Sequence, residues 1–275
     1  MQLGHEPLPP IMRRNIFFRK QLQYPTVFEY MKHIQRRDGY AGLYRGLMPR
    51  ILANVTTSLS YTYVSHTLKP KEDKDSCSSE EEPNFSEVCT KTSQEMMARC
   101  AAVIISQPLH VIAIRTMAQF VGHEEIYNNI YSSVVEIYHE EGILGFFAGL
   151  APRLASEVIS IWLCSVLTYA VNTYILTDTS ELKDLRQYTT MAVGYLIQTI
   201  VYPLSITSTV MATNGARIQA GCPPFVPKYE NWVACLRDLK KSGTSGRGSS
   251  MLFRKAVGHV VAASSVTPVP APTFS

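Results

Sequence analysis

The chain has 275 residues, of which 46% are hydrophobic and 17% charged, and carries a formal net charge of +4 at neutral pH. Mean hydropathy near zero with so few charges excludes a highly charged disordered chain and describes an average over long apolar segments and polar connections. The modest positive charge is ordinary for a membrane protein and says little about nucleic acid, which is not expected as a partner. Six scattered cysteines, with no CxxC pair and no ligand-spaced histidines, support neither a disulfide framework nor a zinc site.

In chain order, Met1 to Pro10 holds no apolar core, so no cleavable signal peptide is expected and targeting should be internal. Crossing a hydrocarbon core of about 30 Å takes roughly 20 helical residues. Four stretches reach that length: Arg50 to Leu68, Met96 to Val121, Leu150 to Leu176 and Tyr188 to Thr213. The first is the least apolar, with Asn54, His66 and several Ser and Thr, and should insert poorly unless it packs against other helices. Lys69 to Ser93, which includes Glu80-Glu81-Glu82, is expected to be a solvated loop. Gly122 to Gly149 repeats apolar residues at Ile126, Ile130, Val134, Ile137 and Tyr138. That period predicts a surface helix with His139, Glu140 and Glu141 on its polar side. Pro223, Pro224 and Pro227 break any helix, Gly243 to Ser250 reads as a flexible link, and no span is assigned after Lys255.

A long-range echo organises these elements. Asp38-Gly39-Tyr40-Ala41-Gly42-Leu43-Tyr44-Arg45-Gly46-Leu47-Met48-Pro49-Arg50 returns as Glu141-Gly142-Ile143-Leu144-Gly145-Phe146-Phe147-Ala148-Gly149-Leu150-Ala151-Pro152-Arg153, each copy leading into an apolar stretch. Upstream, Gly4-His5-Glu6 matches Gly122-His123-Glu124. A third, worn copy comprises Pro203 in an apolar stretch, Lys240-Lys241-Ser242-Gly243 and Phe253-Arg254-Lys255. The expected organisation is a first repeat over 1–69, an acidic loop over 70–93, a second repeat over 94–178, a third over 179–255 and a divergent tail over 256–275. The first copy has no apolar segment before it, so the first helix of its unit is expected to be missing.

A span containing Pro, a surface helix, an acid-Gly signal, an aromatic-basic-Gly turn and a second span opening on Pro-Arg together resemble the mitochondrial carrier fold. Within it, Pro108-Leu109-His110-Val111-Ile112, Glu140 through Leu150, Trp162-Leu163-Cys164 and Gly221-Cys222-Pro223-Pro224 resemble the outer-membrane mitochondrial carrier homologues. The resemblance runs from Gly4 to Lys255. It implies an all-α membrane protein, a degenerate carrier-like helical bundle with the first helix missing and the last not evident. Ordinary carriers close with PxDxxKxR-type ion pairs. Here Pro108 to Arg115 carries His110 for the acid and Ala113 for a base, and Pro203 to Val210 has no charge. The opposite gate should show an aromatic-acid-x-x-base pattern, yet Tyr63-Val64-Ser65-His66 and Tyr169-Ala170-Val171-Asn172 lack the acid-base pair. Alternating access needs two closed states, so solute transport by that mechanism is disfavoured.

The resemblance implies, instead, an insertase of the mitochondrial outer membrane acting without covalent chemistry or cofactor on tail-anchored and other helical membrane proteins. The lipid bilayer is its other partner, and a polar groove open to lipid its working surface. The alternatives are an inner-membrane solute carrier and a docking receptor for apoptotic regulators such as the pro-apoptotic Bid protein. Glu157 is the acid inside the third span. It stands either as a groove residue attracting basic tails or as the partner of Arg153 four residues earlier. Arg115 matches the retained carrier base and is expected to point inward. Arg99 reads as groove lining or as a snorkelling interfacial base, and His110 as a contact or a neutral core residue; Arg99, His110 and Arg115 need not share one face. Tyr202, Ser205, Thr209 and Asn54 are uncharged groove candidates whose alternative is packing between helices. Pro108 and Pro203 should kink their spans, whereas Gly46, Gly149, Pro49 and Pro152, with Arg50 and Arg153 beside them, shape the turns into the next span.

Overall fold

The structure is a computed structural model that describes residues 2–4, 8–14, 20–68, 85–122, 124–127, 129–174, 183–223 and 226–249. His5, Glu6 and His123 of the upstream echo, residues 69–84 of the acidic loop, Pro224, and everything from residue 250 onward lie outside the described residues.

Helices dominate. After a short antiparallel hairpin of β1 (Ile11–Arg14) and β2 (Lys20–Gln23), with Ile11 opposite Gln23, come α1 (Val27–Leu43), α2 (Leu47–Leu68) and α3 (Phe85–Gly122). They are followed by α4 (Ile130–Glu141), α5 (Leu150–Tyr174), α6 (Lys183–Thr213) and α7 (Trp232–Lys241). The four expected spans coincide with α2, α3, α5 and α6, the last two residues of the third lying outside the described residues. Among the described residues three segments are long and apolar enough to cross a membrane, Ser86–Phe120, Ile143–Val171 and Met191–Thr213. The helix below that standard is α2, the segment whose Ser, Thr and Asn content weakens insertion.

The sequence echo is an echo of backbone. Gly39 and Gly142, the glycines of the two acid-Gly signals, sit at φ 70°, ψ −166° and φ 68°, ψ −157°. That region of conformational space is essentially reserved for glycine. Gly46 and Gly149 are again alike at φ 81° and 72°, and Gly243 of the worn third copy follows α7 at φ 64°. Each repeat thus lays down a surface helix and interrupts or ends it on a positive-φ glycine, Gly39 breaking α1 at a kink within its range; in the first two, a second such glycine turns the chain into the next span. Thr26 opens α1, its N–H donating to the Glu29 carboxylate at 2.9 Å, which satisfies one otherwise orphaned helix-terminal donor.

Two expectations need correction. The loop expected to run to Ser93 ends earlier, because α3 starts at Phe85. Extending an existing helix needs no new nucleus, and the Glu87–Lys91 pair at 2.6 Å supports the added turns one helical turn apart. On α4, Glu140 and Glu141 are not a solvated face. Their side chains are 7% and 19% exposed and are engaged by Arg217 and Arg115. The hairpin was not foreseen, and Pro108 and Pro203 lie inside α3 and α6, which run on past them.

In the membrane-spanning part α2 packs on α3, α3 on α5 and α5 on α6, an arc with α2 and α6 at its two ends. Near one end of the bundle α3, α4, α6 and the short turn Gln219–Gly221 bury a shared core around Ile112, Tyr127, Ile137, Ala212 and Ile218. Leu3 packs against this core and against the cluster of Ile206, Val210, Cys235 and Leu239 that seats α7 on α6.

Candidate functional site

A cavity of about 760 Å³ opens between the spans at the end of the bundle that carries the surface helices. From α5 it takes Arg153, Ser156, Glu157 and Ser160, an i, i+3, i+4, i+7 stripe that is one helix face. From α3 it takes His110, Ile114, Met117 and Ala118, from α6 Gln198, Ser205, Ser208 and Thr209, and from α2 Arg50. The faces turned away from it are apolar and exposed, as at Ile159 and Val166 on α5 and Leu196 and Ile200 on α6. Lipid suits those faces, so each helix divides a polar interior stripe from an apolar exterior one.

Two arginines reach α3 from either side. Arg50 Nη1 lies 2.9 Å from His110 Nδ1. A guanidinium has donors only, so Nδ1 accepts and His110 is the neutral tautomer with its proton on Nε2. Arg153 Nη1 donates to Gln107 Oε1 at 2.7 Å, and the Gln107 amide donates to the Ala148 carbonyl at 3.0 Å. Among the described residues neither guanidinium forms an ion pair within 4.0 Å, so Arg153 and Glu157 share a cavity without being salt-bridged. Ser208 Oγ donates to the Gly149 carbonyl at 2.9 Å, tying α6 to the turn before α5.

Gln2, Leu3 and Gly248 cap the cavity. Arg247 Nε donates to the Gln2 carbonyl at 2.6 Å, and the Tyr202 hydroxyl donates to the Arg247 carbonyl at 2.9 Å. Residues at opposite ends of the sequence therefore form one cover.

The expected groove residues divide. Glu157, His110, Ser205 and Thr209 line the cavity. Tyr202 stands behind it, holding the cap. Asn54 is exposed on α2, four residues beyond Arg50. It belongs to a polar flank with Ser58, Tyr61 and Ser65, all within about 80° of Arg50 around the helix axis. Arg99 stacks over the Tyr61 ring at 4.6 Å and lies 4.0 Å from Glu95. It shares a face of α3 with His110 but sits roughly 16 Å farther along the axis, outside the cavity. Arg115 is not a groove residue. It points about 140° away from His110 and is fully buried, donating from Nη2 to Glu141 Oε2 at 2.8 Å and from Nε to the Ala212 carbonyl at 3.0 Å. Pro49 and Pro152 lie buried in first helical turns, where a backbone donor is dispensable.

Arg50 and Arg153 are the functional candidates that the sequence reading assigned to turn formation. The α5 stripe Arg153, Ser156, Glu157, Ser160, polar at helical spacing within an apolar span, was the signal for Arg153. Beside Arg115, outside the spans, burial together with the neighbouring acids pushes the Tyr127 hydroxyl up to about 12, against the opposing pull of Arg115. Burial, then the adjacent Glu136 charge, pushes Glu140 above the usual carboxylate range, although Arg217 Nε lies 3.2 Å away.

Comparison with known proteins places this geometry. Residues 93–179 match the family described as Mitochondrial carrier protein. The chain is similar to mitochondrial carrier homolog 2 of Homo sapiens, 40% identical over 261 residues that cover 93% of this chain and 86% of that protein. It is similar to mitochondrial carrier homolog 1 of Mus musculus at 35% identity, covering 93% and 70% of the two chains. A partial match of 32% identity over 135 residues links it to the mitochondrial substrate carrier family protein W of Dictyostelium discoideum.

Proposed function

The chain belongs to the mitochondrial carrier homologue family, mitochondrial membrane proteins built on the carrier repeat, and from that premise we propose that it is an outer-membrane insertase for tail-anchored and other α-helical membrane proteins. The observation that carries this reading is a charged and hydroxyl-lined cavity within an arc of spans, continued along the polar flank of α2 from Arg50 through Asn54 to Ser65. That flank measures about 22 Å at the helical rise, most of a hydrocarbon core. A charged group crossing bare lipid costs about 2.5 to 3.5 kcal/mol on the insertion scale. A polar strip beside lipid lowers that cost for the tail while the apolar segment of the same substrate slides into the bilayer.

Solute exchange fits these residues less well. Alternating access needs two mutually exclusive closed states held by ion pairs. At the position where the carrier signature has an acid, His110 is neutral and accepts a hydrogen bond from Arg50. The corresponding positions of α6 are Ser205 and Ser208, both hydroxyls.

The test is protease-protected insertion of a tail-anchored protein into liposomes containing the purified chain, with Glu157→Arg and empty liposomes as comparisons. Wild type should exceed empty liposomes, and the charge reversal should slow substrates with basic tails severalfold. Wild type performing no better than empty liposomes would refute the insertase and favour docking of apoptotic regulators.

A further inference from the structure

The cavity's charge is not balanced. Arg50 and Arg153 hold neutral acceptors, His110 and the Gln107 amide oxygen, rather than carboxylates. His110 is neutral by its hydrogen bond, and Glu157, one turn from Arg153, is the single acid among the lining residues. One net positive charge is left inside the spans, where an unpaired cation is costly. Each guanidinium uses one of its five N–H donors on α3, and the remaining wall adds hydroxyls from Ser156, Ser160 and Ser205. The site is rich in donors and short of negative charge.

A helix entering by its C-terminus presents the complementary chemistry. Its last four carbonyls lack intrahelical partners, its dipole ends negative, and its terminal carboxylate carries a full charge. A planar carboxylate also matches the arginine fork, which binds it with two parallel hydrogen bonds. A helix entering by its N-terminus would bring an ammonium and four unpaired N–H groups to a wall already full of donors. Resting on the insertase reading, we infer that this cavity captures the C-terminal carboxylate of the incoming helix, with Arg50 and Arg153 as its binding residues. The protein therefore selects substrates that cross by a short, carboxylate-terminated tail.

The experiment uses the full chain in phosphatidylcholine vesicles and a single-helix tail-anchored probe made with a free C-terminal carboxylate or a C-terminal amide. Each insertion rate is divided by the rate into empty vesicles, and binding of both probes to the detergent-solubilised protein is read by fluorescence anisotropy. Wild type should favour the carboxylate by about tenfold in both measurements, the scale of a charge-assisted hydrogen bond. Arg50→Gln and Arg153→Gln should bring that ratio toward one. Glu157→Gln should raise it, a direction that misfolding does not produce. Insertion above empty vesicles with no preference overturns the carboxylate site and leaves the insertase standing. A binding preference without insertion overturns the insertase and retains the site, and neither effect overturns both. Loss of the wild-type preference when phosphatidylserine is added to the vesicles assigns the arginines to a lipid headgroup and also overturns the inference.

Discussion

Arg115 shows what a buried charge does when it is placed to hold structure rather than substrate. Its guanidinium has no exposure, and it joins α3 to Glu141 at the end of α4 and to the Ala212 carbonyl near the end of α6. Removing one partner of such a pair strands the other, which costs about 3 to 5 kcal/mol, whereas removing both leaves no orphaned charge. Arg115→Gln should therefore lower the melting temperature in detergent markedly, followed by the fluorescence of Trp162 and Trp232. The double variant Arg115→Gln, Glu141→Gln should recover part of the loss. Additive losses would show that the two side chains act independently. Arg153 differs from Arg115 in its neighbours more than in its chemistry. Its fork lies on a cavity beside a neutral amide, which leaves charge available to a ligand.

At the level of elements, the positive-φ glycines separate strain from collision. At Gly149 an added Cβ would run into the Ser208 carbonyl oxygen and the Ala212 backbone nitrogen, whereas at Gly39 it would meet nothing within 4 Å. Gly39→Ala should cost only backbone strain, about 1 to 3 kcal/mol. Gly149→Ala adds a clash between α6 and the turn into α5, and should give the larger fall in thermal stability when the two are measured side by side in detergent. The echoed turns and the three long apolar spans were legible because hydrophobic length and glycine spacing are written along the chain. The start of α3 was not, since Phe85 to Ser93 is polar and becomes helical only as an extension of the apolar span. Rotation about each axis was the harder quantity. The polar residues of α3 spread around the helix, so His110 and Arg115 differ only by where packing with α4 and α6 turns them. Glu157, His110, Ser205 and Thr209, singled out by their setting within spans, line the cavity. The shared echo of Pro49-Arg50 and Pro152-Arg153 drew attention to the turn and away from the side chains that follow it.

As a whole the molecule is an arc from α2 through α3 and α5 to α6, with surface helices at one end and a cap over the cavity. The cap depends on the contact between Arg247 and the Gln2 carbonyl. With Ser205→Cys as a reporter on the cavity wall, Arg247→Ala should speed labelling by a water-soluble maleimide severalfold. An unchanged rate would show that the cap does not limit entry. That contact also sets a clock for biosynthesis. Its partners are 245 residues apart in sequence, so the site cannot be finished before Arg247 has been made. Until Arg247 has left the ribosome and found Gln2, the cavity stays uncovered, and a nascent chain halted short of that residue would carry the spans and both arginines yet never a completed chamber.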